Sequence, residues 1–183
     1  MALDANLHEI DSQSGYMKYI ANHPCVEKHG THGLFSALPS VNLDKTILEL
    51  EQHECPVWTI IYSLHRKDVA RLSYDNANAL KNLLMNHKSE LADAMRIPKK
   101  DFRWYAAFHN EGHHPHIHMM VWSDDPQKGF LTKDGIAAMR SKLTNTIFQD
   151  EMKQLYVEKA EAYKDLSAAA QNVIQELIRK MHI

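Results

Sequence analysis

The sequence predicts an α+β fold: a small antiparallel β-sheet with helices packed on it, followed by a helical C-terminal part. Three observations carry this expectation. Residues 101–108 and 115–122 are rich in β-branched and aromatic side chains and are joined by a short connection, as in an antiparallel hairpin. Residues 56–64 form a third run of the same kind. Between and after these runs, apolar residues recur at helical spacing. With 183 residues, 44% hydrophobic and 24% charged, the chain can bury one good core, and a single domain over residues 1–183 is expected.

Residues 1–13 are polar, slightly acidic and without a period, and read as a loose arm. Ser14 and Gly15 then lead into residues 16–22, enough for two helical turns before Pro24 stops them. Residues 23–42 carry His, Gly, Pro and Ser without a period and read as a long loop, which in a compact domain is functional or disordered. Asn42 or Asp44 can cap a short helix running through Glu51. Residues 56–64 read as a buried strand. Asp75 caps a stronger helix whose apolar stripe of Ala79, Leu80, Leu83, Leu84, Leu91 and Met95 continues up to Pro98. The two hairpin strands follow, then a turn over residues 124–129. From Asp134 onward the chain is almost all helix former, with Ile136, Met139, Leu143 and Ile147 at apolar positions. A second helical stretch begins near Ser167 and carries Val173, Ile174, Leu177, Ile178 and Met181.

Net charge is −2 with histidines neutral, so no global basic field announces a nucleic-acid binder; any DNA contact must come from local clusters. Cys25 and Cys55 sit apart without metal-type spacing, a disulfide framework is not expected, and the chain reads as cytoplasmic. No segment has the apolar length to span a bilayer, and the first residues do not make a signal peptide.

Five of the thirteen histidines fall in one ten-residue stretch, His109, His113, His114, His116 and His118. On a strand, residues two apart share a face, so His116 and His118 present two imidazoles side by side. The hairpin brings the end of the preceding strand, and His109 with it, to the same end of the sheet. Three neutral imidazoles make a metal site with open coordination positions, the arrangement catalysis needs. His113 and His114 lie at the hairpin tip and are expected to be exposed. Glu111, in the same loop, can orient a ligand ring, accept a proton, or simply be solvated. Imidazoles suit Zn, Mn, Co, Ni and Cu, whereas Mg prefers oxygen donors.

Tyr16 and Tyr19 are three apart, so on a helix both project from one face. They are either aromatics packing a short helix on the sheet or the source of a nucleophile. A tyrosine with an ordinary pKa of about 10 is ionised to roughly one part in a thousand at neutral pH. It therefore needs a base or a metal-polarised target, and the histidine cluster can supply both.

Several blocks together resemble one family. Tyr-Met-Lys-Tyr19-Ile-Ala, then Pro24-Cys-Val-Glu27, then His32-Gly-Leu-Phe-Ser36, is similar to the N-terminal motif of MobP-type relaxases, in particular the MobL group of mobilisation proteins. The segment from Ser63 through Arg66 and Arg71 to Asn76 resembles that group's next block, and Phe108-His109 through His116-Ile-His118 resembles the metal motif of HUH endonucleases. These blocks span residues 14–125. The resemblance implies an HUH relaxase-like fold and a metal-dependent single-strand DNA endonuclease and strand transferase that starts conjugative transfer of a plasmid or other mobile element. It implies that Tyr19 attacks a phosphodiester at the transfer origin, staying linked to the 5′ phosphate and releasing a 3′ hydroxyl. It implies a divalent metal on His109, His116 and His118, Mn or Mg in use, with Zn, Co or Ni able to take the site in a crystal. Single-stranded DNA is the implied partner, with accessory mobilisation proteins beside it. Tyr16 ranks below Tyr19, as a helper or an alternative nucleophile. The chain departs from the group in two places: residues 1–13 lack the pattern of a strand ahead of the tyrosine helix, and His23 stands where the group commonly has Arg before Pro. The group's chains are also usually longer.

Arg66, Lys67 and Arg71 follow the first predicted strand, and Arg96, Lys99, Lys100 and Arg103 precede or open the second. These are the candidates for DNA-phosphate contact. Trp104 and Trp122 are either base-stacking platforms or core. The alternatives to a relaxase are an HUH replication initiator or transposase, a metal hydrolase or oxygenase using the three histidines without Tyr19, and a non-enzymatic metal-binding or DNA-binding adaptor.

Overall fold

Ser12 caps the first helix and opens the part of the chain that the structure, a computed structural model, describes: residues 12–181. The expected loose arm, and any strand ahead of the tyrosines, fall at residues 1–11, outside the described residues. Helix α1 (Gln13–Asn22) begins where the Ser12 hydroxyl accepts from the Gly15 amide at 3.0 Å. It ends at His23, whose ψ of 141° is the extended conformation that Pro24 imposes on its predecessor. Three of its last-turn carbonyls find donors: the Tyr19 carbonyl accepts from the His23 amide, the Ala21 carbonyl from the Gly33 amide, and the Ile20 carbonyl from the His109 ring. Two of these three donors come from outside the helix, so α1 is tied to the rest of the fold at its tyrosine-bearing end.

Residues 23–42, expected as loop, contain strand β1 (Leu34–Ser36), a correction to the sequence reading. Its three residues are all buried and too few to show a period. Gly33 precedes it at a close approach, where a β-carbon would collide with the Val26 side chain and meet the Glu27 carbonyl oxygen at 2.8 Å. Helix α2 (Leu43–Glu51) follows, capped by Asn42 rather than Asp44: the Asn42 side-chain oxygen accepts from the Lys45 amide at 2.9 Å. Strand β2 (Trp58–Ser63) leads into a short helix that the sequence reading did not assign, α3 (Arg66–Arg71).

The helix expected from Asp75 to Pro98 is two, α4 (Ala77–Asn86) and α5 (Lys88–Ala94). They are separated at His87, where Asn86 and His87 put two poor helix formers side by side. Asn76, not Asp75, caps α4, accepting from the Ala79 amide at 2.9 Å. Strands β3 (Phe102–His109) and β4 (His116–Ser123) form the expected hairpin, with His109 paired directly against His116.

The four strands make one antiparallel sheet in the order β1-β3-β4-β2. Alternation along β3 and β4 sends Tyr105, Ala107, Met120 and Trp122 to one face, where they pack with Met17, Ile20 and Ala21 of α1 and Ile47 and Leu50 of α2. Met17 and Ile20 are fully buried there, each contributing about 1.5–3 kcal/mol of transfer free energy. The alternate residues Phe102, Trp104, Ala106 and Phe108 are buried on the other face, and α4 packs against β3. Trp104 and Trp122 are both core residues, 3% and 1% exposed, which removes them as base-stacking platforms.

Strand β2 corrects a further expectation. It is an edge strand rather than a buried one: Trp58, Ile60 and Tyr62 are half-buried while Thr59, Ile61 and Ser63 are exposed. The exposed three pair across from Met120, His118 and His116 and so share their face, beyond the cover of α1 and α2.

The chain divides into two units between Leu143 and Thr144. Helix α6 (Lys133–Ile147) crosses the division, and in the first unit Gly135, Met139 and Leu143 are its buried positions. Helix α7 (Gln149–Met181) is one 33-residue helix, where the sequence reading began a second stretch near Ser167. No Pro or Gly interrupts it.

Candidate active site

The hairpin builds the site. His109 closes β3, His116 opens β4 opposite it, and His118 lies two residues on, on the same face. One ligand atom from each lies within 4.8 Å of the others. His109 and His118 are buried, at 0% and 2% exposure, and His116 is half-buried.

Hydrogen bonds define which ring nitrogen of each histidine carries the lone pair. His109 Nε2 is 2.9 Å from the Ile20 carbonyl, which can only accept, so Nε2 is protonated and the lone pair lies on Nδ1. By the same argument His116 Nδ1 donates to the His114 carbonyl at 2.8 Å, leaving the lone pair on Nε2. His116 Nε2 and His118 Nε2 face each other at 3.0 Å. Two imidazole nitrogens that close must hold a proton between them, and a cation fits in its place. His118 Nδ1 is 2.7 Å from the Tyr16 hydroxyl. Each ligand ring is thus oriented through its far nitrogen by a carbonyl or a hydroxyl, as in built metal sites. The residues fit a divalent cation.

Both tyrosines of α1 reach this cluster, in different ways. Tyr16 is 7% exposed and points its hydroxyl at the His118 ring. Tyr19 is half-buried, with its ring 6.4 Å from the His109 ring and 5.2 Å from that of His23. The two tyrosine rings stack at 6.2 Å.

Glu111 does not orient a metal-ligand ring: the three far nitrogens are served by the Ile20 and His114 carbonyls and the Tyr16 hydroxyl. Its carboxylate groups instead with His23 and Cys25, one ligand atom from each within 4.8 Å of the others. The two cysteines offer no metal-type pair in the sequence, and the signal for this grouping is His23-Pro-Cys25, the same two-residue spacing as His116 and His118. His113 and His114 are exposed at the hairpin tip, as expected.

The candidate DNA residues separate into two groups. Arg66, Lys67 and Arg71 lie on α3, just after the β2 end that pairs with His116. Arg66 donates to the Glu111 and Gly112 carbonyls and grips the hairpin loop; Arg71 pairs with Asp68 at 2.7 Å; Lys67 is exposed. Lys99, Lys100 and Arg103 sit at the far end of β3, with Arg103 six residues before His109 and so roughly 20 Å away. Arg103 is held by Asp124 at 2.7 Å.

A four-stranded antiparallel sheet with three convergent imidazoles at one end, faced by a tyrosine from the covering helix, defines an α+β protein with a histidine cluster able to hold a metal beside a potential oxygen nucleophile. The family model of the MobL relaxases matches residues 5–182, and the chain belongs to that family. It is therefore a relaxase, an enzyme of mobilisation that acts on single-stranded DNA. Relaxases generally use a divalent metal, and the described residues contain two clusters able to hold one. No curated protein and no solved structure matches the chain. Among the described residues, no helix is long and apolar enough to cross a membrane.

Proposed function

We propose that the protein nicks and rejoins single-stranded DNA at a transfer origin through a 5′-phosphotyrosine on Tyr19, with a divalent metal held by His109, His116 and His118. The observation that carries this reading is the approach of Tyr19 to the centre, ring to ring 6.4 Å from His109. The Tyr19 oxygen attacks phosphorus and the bond to the 3′ oxygen breaks. The phenol proton leaves to a base, and the departing oxygen takes one up to become a 3′ hydroxyl. The phosphodiester's bond energy stays in the phosphotyrosine, so rejoining is the reverse step. The metal, when bound, draws charge from the phosphate oxygens as the displacement proceeds. Mn or Mg is the ion in use.

DNA enters on the β2 side, where Thr59, Ile61 and Ser63 leave the sheet face open beside His116 and His118. Arg66, Lys67 and Arg71 border this opening and contact the backbone nearest the scissile phosphate. Lys99, Lys100 and Arg103 serve only a strand long enough to run down the sheet. The whole chain acts as one relaxase domain in the cytoplasm, with its catalytic residues in the first unit and accessory mobilisation proteins delivering the origin.

The test is to incubate an origin-containing single strand with the wild type and with Tyr19→Phe, with and without Mn or Mg. A covalent protein–DNA adduct is expected only from the wild type with metal. Nicking by the Phe variant would remove Tyr19 as the nucleophile, and a metal-free wild-type adduct would remove the role of the histidines.

A further inference from the structure

We propose that His23, Cys25 and Glu111 form a second divalent-metal site, of zinc type, next to the three-histidine centre and distinct from it. One ligand atom from each of the three lies within 4.8 Å of the others. The grouping is built by the backbone. After Pro24 turns the chain, the Val26 amide donates to the His23 carbonyl at 2.9 Å. The segment then pairs with the end of β3: the Asn110 amide donates to the Cys25 carbonyl at 2.8 Å, the Glu27 amide to the Phe108 carbonyl at 3.0 Å, and Val26 bridges His109. Cys25 is thereby set opposite Asn110 and next to Glu111. On the other side of the loop, Arg66 grips the Glu111 and Gly112 carbonyls. Both segments that supply donors are held before any ion arrives, which lowers the ordering cost of binding.

The donor types choose the ion. Thiolate, imidazole and carboxylate together favour zinc, because a soft thiolate is a poor donor for Mn or Mg. The Cys25 amide donates to His23 Nδ1 at 3.3 Å, so an ion that takes this lone pair displaces a long hydrogen bond. A thiolate and a carboxylate also cancel the charge of a divalent ion, so a filled second site adds no net repulsion toward an ion held by the three neutral imidazoles nearby. Packing alone accounts for His23, which stacks on His109 at 4.7 Å and 9°. It does not account for an exposed Cys25 beside a carboxylate.

An ion there would clip the end of α1 to the hairpin loop. His23 stands one helical turn after Tyr19, with the two rings 5.2 Å apart. The second site thus fixes the end of the helix that carries Tyr19. This inference does not rest on the nicking chemistry, since none of its donors belongs to the three-histidine set.

The test is a cobalt titration of the full chain after chelator treatment, followed by absorbance. A thiolate-to-cobalt charge-transfer band is expected in the wild type, in Cys55→Ser, and in the doubly substituted His116→Ala/His118→Ala protein. It should vanish in Cys25→Ser while far-ultraviolet circular dichroism stays unchanged. Zinc analysis should fall from two equivalents to one in Cys25→Ser, and zinc should raise the melting temperature of Cys25→Ser less than that of the wild type. A band that survives in Cys25→Ser, or is absent from the wild type, overturns the site. Loss of the band in the double histidine variant would merge the two centres into one and overturn their independence.

Discussion

The Tyr16 hydroxyl lies 2.7 Å from Nδ1 of His118, and both side chains are buried. When a cation replaces the proton between His116 and His118, the His118 lone pair must move to Nε2, and Nδ1 then donates to the Tyr16 oxygen. A hydroxyl serves in both states because it can donate or accept. Tyr16 is therefore placed to position His118 as a ligand when an ion is bound. Tyr16→Phe keeps the packing but removes that partner, and metal affinity is expected to fall about 10-fold or more. Calorimetry with Mn on Tyr16→Phe and Tyr19→Phe checks this, with Tyr19→Phe expected to bind as the wild type does. Equal affinities in both variants would leave Tyr16 as packing only.

His109 has a structural duty that His116 lacks. Its Nε2 serves the buried Ile20 carbonyl at the end of α1, whereas the His116 bond to the His114 carbonyl is exposed. His109→Ala leaves a buried acceptor without its donor and should cost about 1–3 kcal/mol beyond the loss of the metal. His116→Ala should cost less than about 1 kcal/mol. Urea unfolding in the presence of a chelator separates the two. A similar loss in both variants would show that the Ile20 contact contributes nothing.

The convergence of His109, His116 and His118 was legible because a strand has a strict period of two and a hairpin puts its ends together, so the three could be placed without a template. The tyrosine face of α1 was legible for the same reason, from spacing on a helix. What escaped was set by tertiary context. Leu34–Ser36 becomes a strand only because β3 offers it an edge. Residues 58–63 look buried in composition, yet their place at the sheet's edge leaves alternate residues exposed. Cys25 and His23 meet Glu111 through backbone pairing between segments more than eighty residues apart, which no local pattern encodes.

His53 makes stability depend on pH. Burial pushes its imidazole below the ordinary 6.5, and the Asp124 and Glu49 carboxylates only partly oppose this. With the folded value depressed, the unfolded chain takes up the proton first as pH falls. Stability is therefore lost on acidification from 6.5 down to the folded value, and this group adds no further loss below that. His53→Gln removes the titration. Its melting temperature should fall less than that of the wild type between a pH above 6.5 and one below it. The difference between the two slopes is the reading, since other histidines titrate in both proteins. Parallel slopes would exclude His53 as a source.

The two groups of basic residues differ in a way salt can measure. Lys67 is exposed on α3 beside the open face of β2, whereas Arg103 is paired with Asp124 at the far end of the sheet. Each phosphate neutralised on a single strand contributes about −0.7 to the slope of log affinity against log salt. Lys67→Ala should therefore weaken binding of a short strand and flatten the slope by about 0.7, the share of one phosphate. Arg103→Ala should leave a short strand's slope unchanged, because Asp124 already neutralises the guanidinium and the position lies roughly 20 Å from His109. Fluorescence anisotropy over a series of salt concentrations, with a short and a longer oligonucleotide, gives both slopes. If Arg103→Ala flattened the slope for the short strand and Lys67→Ala did not, DNA would approach from the opposite end of the sheet. The opening beside β2 would then not be the entrance.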